Sequence, residues 1–250
     1  SGPDHQPPDQ IDQVISREVA DPEVLSDSPI VKPVPPAVHE LVTVEVALAG
    51  PAIELHSAGR GRFIVARIEE KNQLQVIDLV QKNVVSTTTI PADVIIAAGK
   101  DCILLIHPEV HRAEIRRLPE FTLLAEAELP ADCQMIAAAC GVSVNGPFLL
   151  QGYSITDVSG QNSASRYFLL DIKSRVCKVV ETPSTWMPTS NSVVRMRASE
   201  DGRAFAAWSP YANPQGLRTL VFDAEMQTAA CNYEPVNVGH AAPGPAGDKI

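Results

Sequence analysis

The feature that most constrains this chain is an internal repeat of about 40 residues. Its first anchor is a turn of small residues followed by a short apolar run. It reads Ala58-Gly59-Arg60-Gly61-Arg62-Phe63-Ile64-Val65, then Ala98-Gly99-Lys100-Asp101-Cys102-Ile103-Leu104-Leu105. The pattern returns at 141–150 and 199–207, and starts again at Pro245-Ala246-Gly247-Asp248-Lys249-Ile250. A second anchor follows each of the complete copies: an apolar run that ends in an acid, as in Val76-Ile77-Asp78, Leu169-Leu170-Asp171 and Val221-Phe222-Asp223. In the second unit Ala113-Glu114-Ile115-Arg116-Arg117-Leu118 takes that place without the terminal acid. A third run closes the unit, at 83–90 and again at 122–129. These runs are short, rich in β-branched residues and broken by turn formers, and helical periodicity is nearly absent.

Four short antiparallel strands per 40-odd residues make the blade of a β-propeller. The expected fold is therefore all-β, with about four to five four-stranded blades near 51–92, 93–133, 134–190 and 191–237 and the start of another at 238–250. Residues 41–48 (Leu-Val-Thr-Val-Glu-Val-Ala-Leu) carry a strand signature outside these units. The expectation is a leading strand that fastens the ring, by pairing with 247–250 or with a further blade. Because the last unit stops inside its first strand at Ile250, a truncated or open arc is also expected, with unpaired edges through which copies associate.

The Asp201-Gly202-Arg203 turn and the Ile77-Asp78 and Phe222-Asp223 strand ends give the chain a resemblance to the bacterial WD40-like and YVTN-type propeller superfamily over roughly 41–250. The resemblance implies the architecture and is silent on activity. The Gly-His and Trp-Asp dipeptides of classical WD40 repeats are missing, so Asp78, Asp171 and Asp223 are expected instead to end their strands by accepting hydrogen bonds from turn amides.

Residues 1–38 read differently. Eight of the 21 prolines fall within the first 36 residues, and the first 50 carry −7 of the total charge of −10. Such a segment buries too little apolar surface to offset its ordering entropy, and reads as a flexible acidic tail or linker; 11–20 has the pattern of a short amphipathic helix. An acidic chain with no basic stripe excludes nucleic acid as an expected partner and disfavours anionic membranes. No run is long enough to insert into a bilayer. Five dispersed cysteines, Cys102, Cys133, Cys140, Cys177 and Cys231, form neither a disulfide framework nor a zinc motif. They fit a reducing compartment, whereas the proline-rich tail fits a tether outside a membrane; both the cytoplasm and a membrane-tethered exterior stay open.

No nucleophile elbow, phosphate loop or dinucleotide fingerprint occurs, so no catalytic or cofactor-binding residue is named and the balance leans against an enzyme. His107-Pro108-Glu109-Val110-His111 places two histidines around a three-residue turn, which makes His107 and His111 weak metal candidates beside their reading as hairpin polar residues. Trp186, Trp208 and Tyr211 lie in or beside long loops, where they either recognise a partner or pack between blades. The leading expectation is a non-enzymatic scaffold that recognises a protein partner and is tethered by its N-terminal segment. One alternative is a lactonase-like propeller with a metal in the central channel, for which His56, His107, Asp157 and Asn162 are the loose candidates. The other is a module whose role is assembly.

Overall fold

The computed structural model describes residues 43–154, 165–182, 194–208 and 216–234. Among the described residues, sixteen strands form four sheets of four, each an antiparallel meander of consecutive strands. The first blade holds β1 (Ala52–Ala58), β2 (Phe63–Ile68), β3 (Gln73–Asp78) and β4 (Asn83–Thr89). The second holds β5 (Ile95–Ala98), β6 (Cys102–His107), β7 (Arg112–Arg117) and β8 (Leu123–Glu128). The third holds β9 (Cys133–Ala139), β10 (Phe148–Ser154), β11 (Ser165–Asp171) and β12 (Val176–Val180). The fourth holds β13 (Arg195–Ala198), β14 (Ala204–Trp208), β15 (Leu217–Phe222) and β16 (Thr228–Glu234). The first strands of the blades, β1, β5, β9 and β13, line one central cavity. This is a β-propeller arrangement.

Successive side chains of a strand point to opposite faces, and each middle blade is covered on both. In β6, Cys102, Leu104 and Ile106 enter the core shared with the third blade, while Ile103 and Leu105 enter the core shared with the first. In β10, Phe148 and Leu150 face the second blade and Leu149 the fourth. That double burial is why these strands read as unbroken apolar runs rather than as alternating ones.

The acids that end the strands do what their position implies. Asp78 Oδ1 accepts from the amides of Val80 (2.8 Å) and Gln81 (3.2 Å), Asp171 from those of Lys173 and Ser174, and Asp223 from those of Glu225 and Gln227. Each of the four outer hairpins also places a non-glycine residue at positive φ: Lys82, Phe121, Arg175 and Met226. In the second blade, where the acid is missing, Arg116 instead donates to the Phe121 carbonyl at 3.0 Å.

Residues 43–48 depart from expectation: they form no strand. Val46 and Leu48 instead pack across the face of the first blade that turns away from the second, on Ile64, Ala66, Ile68, Ile77 and Val84. Covering an apolar face removes that surface from water. The Ala49 amide anchors the segment to Gln75 Oε1 at 3.0 Å. Residues 247–250, its expected partner, lie outside the described residues.

At one end of the axis the turns after the inner strands bond main chain to main chain. Gly59 N donates to Gly99 O (3.1 Å), Arg60 N to Val142 O (3.0 Å), Lys100 N to Val144 O (2.7 Å) and Ser143 N to Glu200 O (3.0 Å). At Gly141 the neighbouring backbone leaves no room for a side chain. A Cβ on Gly141 would collide with the Gly202 amide nitrogen and lie 2.6 Å from the Glu200 carbonyl oxygen. Gly141→Ala is expected to destabilise the protein by about 2 kcal/mol or more, because rigid backbone must move. Gly61→Ala meets nothing within 4 Å and carries only the strain of φ +84°, so its cost is about 1 kcal/mol. Urea unfolding of both variants checks that order.

Candidate functional site

The axial cavity measures about 200 Å³. Alanines make the room: Ala97 and Ala98 from the second blade and its neighbours Ala138 and Ala139 from the third replace the larger residues of the outer strands. His56 of β1 stands in its wall. Its Nε2 lies 3.0 Å from Glu54 Oε1 without the alignment of a hydrogen bond. Glu54 also lies 3.5 Å from Arg67 Nη1, and Arg67 donates to the carbonyls of Val94 (2.9 Å) and Ala92, tying the first blade to the segment that leads into the second. Burial pushes the Glu54 carboxyl up, but the neighbouring His56 and Arg67 outweigh it and hold the group below its ordinary value. Asp157 and Asn162 lie outside the described residues. Among the described residues no three His, Cys, Asp or Glu side chains converge as metal ligands.

His107 and His111 are separated in role by the turn between them. Pro108–Val110 form a 3-10 turn, and His111 closes it in the left-handed region at φ 49°. His107 turns onto β7, where its Nε2 lies 3.4 Å from Glu114. Glu114, nearly buried, also binds Arg116 (2.7 Å) and Arg112 (3.2 Å). The sequence placed Glu114 and Arg116 in one strand, but that His107 of the preceding strand also meets Glu114 follows from the register of β6 on β7. Burial alone would raise Glu114; the Arg116 hydrogen bond, then the charges of Arg116, His107 and Arg112, overcome it and hold the carboxyl low. A carboxyl held low in the folded state stabilises the fold above its unfolded value of about 4.3 and loses that contribution as pH falls through the folded value. Glu114→Gln is therefore expected to cost about 1 kcal/mol at neutral pH. Its deficit should close on acidification below about pH 4. Denaturation midpoints of both proteins from neutrality down to about pH 3 check this.

Trp208 is buried, 3% exposed, against Ala206 and Leu217 at the end of β14, so its ring serves the interior of the fourth blade. Trp186 and Tyr211 lie outside the described residues. Four of the cysteines, Cys102, Cys133, Cys140 and Cys177, belong to or pack on the core between the second and third blades. Burial pushes the Cys102 and Cys177 thiols up to about 12 and Cys140 further still, so these sulfurs stay protonated and act as small hydrophobes.

The rim carries a feature that residue spacing did not reveal. Leu123 and Leu124 on β8 and Val176 and Val179 on β12 are between 40% and 52% exposed. These are the outer strands of adjacent blades and touch one another. Beside them opens a cavity of about 500 Å³, lined by Leu118, Leu124 and Ile172 and by Asp101, Cys102, Arg117 and Asn145. Asn145 locks the polar floor: its Oδ1 accepts the Asp101 amide at 2.6 Å and its Nδ2 donates to Asp101 Oδ2 at 3.1 Å. Lys100 Nζ lies 3.5 Å from the same carboxylate oxygen.

No protein-family model matches the sequence, and no curated protein does. Among solved structures the chain is similar to the hydrazine synthase of Kuenenia stuttgartiensis, at 9% identity and a TM-score of 0.48 over 78% of this chain and 53% of that one. It is similar to the Dos1 propeller at 12% identity and a TM-score of 0.48, over 79% of this chain and 51% of that one. The β-propeller domain of Cps50 (Swd1) from Myceliophteria thermophila gives 10% identity and a TM-score of 0.43, over 76% and 70%. The chain thus spans about half the length of the first two. At such identities these likenesses concern backbone shape and assign no activity.

Proposed function

We propose that this protein is a non-enzymatic recognition propeller that docks a protein partner on its rim, at the seam between the second and third blades. Residues 1–38 would serve as its acidic, proline-rich tether and 39–250 as the propeller. The glycine turns and acid-ended strands favour kinship with WD40-like and YVTN-type repeats. The observation that carries the reading is the apolar rim: two neighbouring edge strands expose Leu123, Leu124 and Val179 near an open cavity, with Val176 exposed on the other face of β12. Exposed apolar side chains clustered on one surface mark interaction sites, whereas singly scattered ones carry no such meaning. Edge strands add unpaired main-chain groups with which an extended segment can pair.

Val176→Asp combined with Val179→Asp places charge on both faces of this edge strand at positions already open to water. The pair is expected to leave the circular dichroism spectrum unchanged and to shift stability by less than about 1 kcal/mol. It should abolish cross-linking to a partner that the wild type captures and that rebinds it as a purified protein. Equal capture by both proteins would refute the rim reading. If the wild type instead dimerises in light scattering and the double variant does not, the partner is a second copy of this chain.

A further inference from the structure

Resting on the rim reading, we infer that the cavity between the second and third blades receives a bulky apolar side chain that stands beside a carboxylate on the partner. The walls supply the apolar half. Leu118, Leu124 and Ile172 converge from the β7–β8 hairpin, from β8 and from the residue after β11, and about 500 Å³ is enough for an aromatic or long aliphatic group. Arg117, on the same lining, supplies the charged half. Its main-chain amide donates to Thr122 O at 2.7 Å, and its side chain is exposed. No described residue forms an ion pair with its guanidinium, although neighbouring arginines of the same strand are all engaged: Arg112 and Arg116 bind Glu114.

The one carboxylate in the lining does not compensate it. Asp101 is already engaged by Asn145 and by Lys100. The cavity thus offers apolar walls and a single uncommitted cation, which is complementary to an anion attached to an apolar group. A planar guanidinium binds a carboxylate through two parallel donors, so the recognition is geometric as well as electrostatic. An acidic–apolar segment lying along β12 would place its apolar side chain in the cavity while its backbone follows the free edge. The opposite arrangement, a basic segment, would set like charges together.

The test uses the full 250-residue chain with labelled isoleucine and leucine methyl groups and the probe 3-phenylpropanoate. Its controls are 3-phenylpropan-1-ol, which has the same shape without the charge, and 3-phenylpropylamine, which reverses it. The expected result is a saturable shift of the Leu118, Leu124 and Ile172 methyl signals with the acid. The alcohol should bind at least fivefold more weakly and the amine more weakly again. Arg117→Ala should reduce the acid to the level of the alcohol without moving methyl signals elsewhere, and Arg117→Lys should restore part of the difference. Methyl shifts no larger for the acid than for the amine, or unchanged in Arg117→Ala, would overturn the inference. The two readings fail separately. A cavity that ignores the acid while Val176→Asp with Val179→Asp still loses the partner removes the cavity assignment alone. A cavity that binds the acid while the double variant keeps its partner removes the rim reading alone.

Discussion

The main-chain hydrogen bonds between the turns that follow the inner strands set the spacing on which the rest of the molecule depends. From Gly59 to Gly99, Arg60 to Val142, Lys100 to Val144 and Ser143 to Glu200, backbone meets backbone with no side chain between. At Gly99 and Gly141 the neighbouring backbone comes so close that a Cβ would collide with it, which is one reason the repeat announces itself through glycine. They hold the four inner strands near one another and limit the axial cavity to about 200 Å³. The cavity between the second and third blades opens beside these turns, with Asp101 and Asn145 in its lining.

Between those limits the blades are held by burial. The three interblade cores take alternate side chains from the same strands, so a middle blade has no solvent face to spare. Removing a fully buried Leu104 or Leu150 would open a void and cost about 3 kcal/mol, more than any single surface ion pair contributes. The faces at the two ends of the series are solved differently. The first blade covers its outer face with Val46 and Leu48, and the fourth buries Ala206, Trp208 and Leu217.

Several polar groups complete the fold. Asp78 joins a turn to Arg62, Glu114 pairs with Arg112 and Arg116 on one strand face, and Asn145 locks Asp101. Each satisfies charges or amides that burial would otherwise leave unpaired. Arg117, by contrast, is an uncommitted cation against an apolar cavity, beside edge strands that expose leucine and valine. In the proposed recognition, the apolar surface would supply affinity and the directed charge discrimination.

The sequence by itself determined whatever depends on a few consecutive residues. The period of the blades, the strand-ending role of Asp78, Asp171 and Asp223, and the turn between His107 and His111 were all legible, because turn chemistry and strand propensity act locally. The strand expected at 41–48 is not formed over the described residues 43–48, because whether such a segment joins a ladder or covers a face depends on which apolar surface lies within reach. Nor could the sites be read in advance. Arg117, Leu124, Asn145 and Ile172 come from separate hairpins and loops, and nothing in their spacing relates them. Trp208 has the composition of a surface anchor and the burial of a core residue. Only the tertiary structure decided these points, because the packing angle between blades determines which distant side chains meet, which charges are paired and which face water.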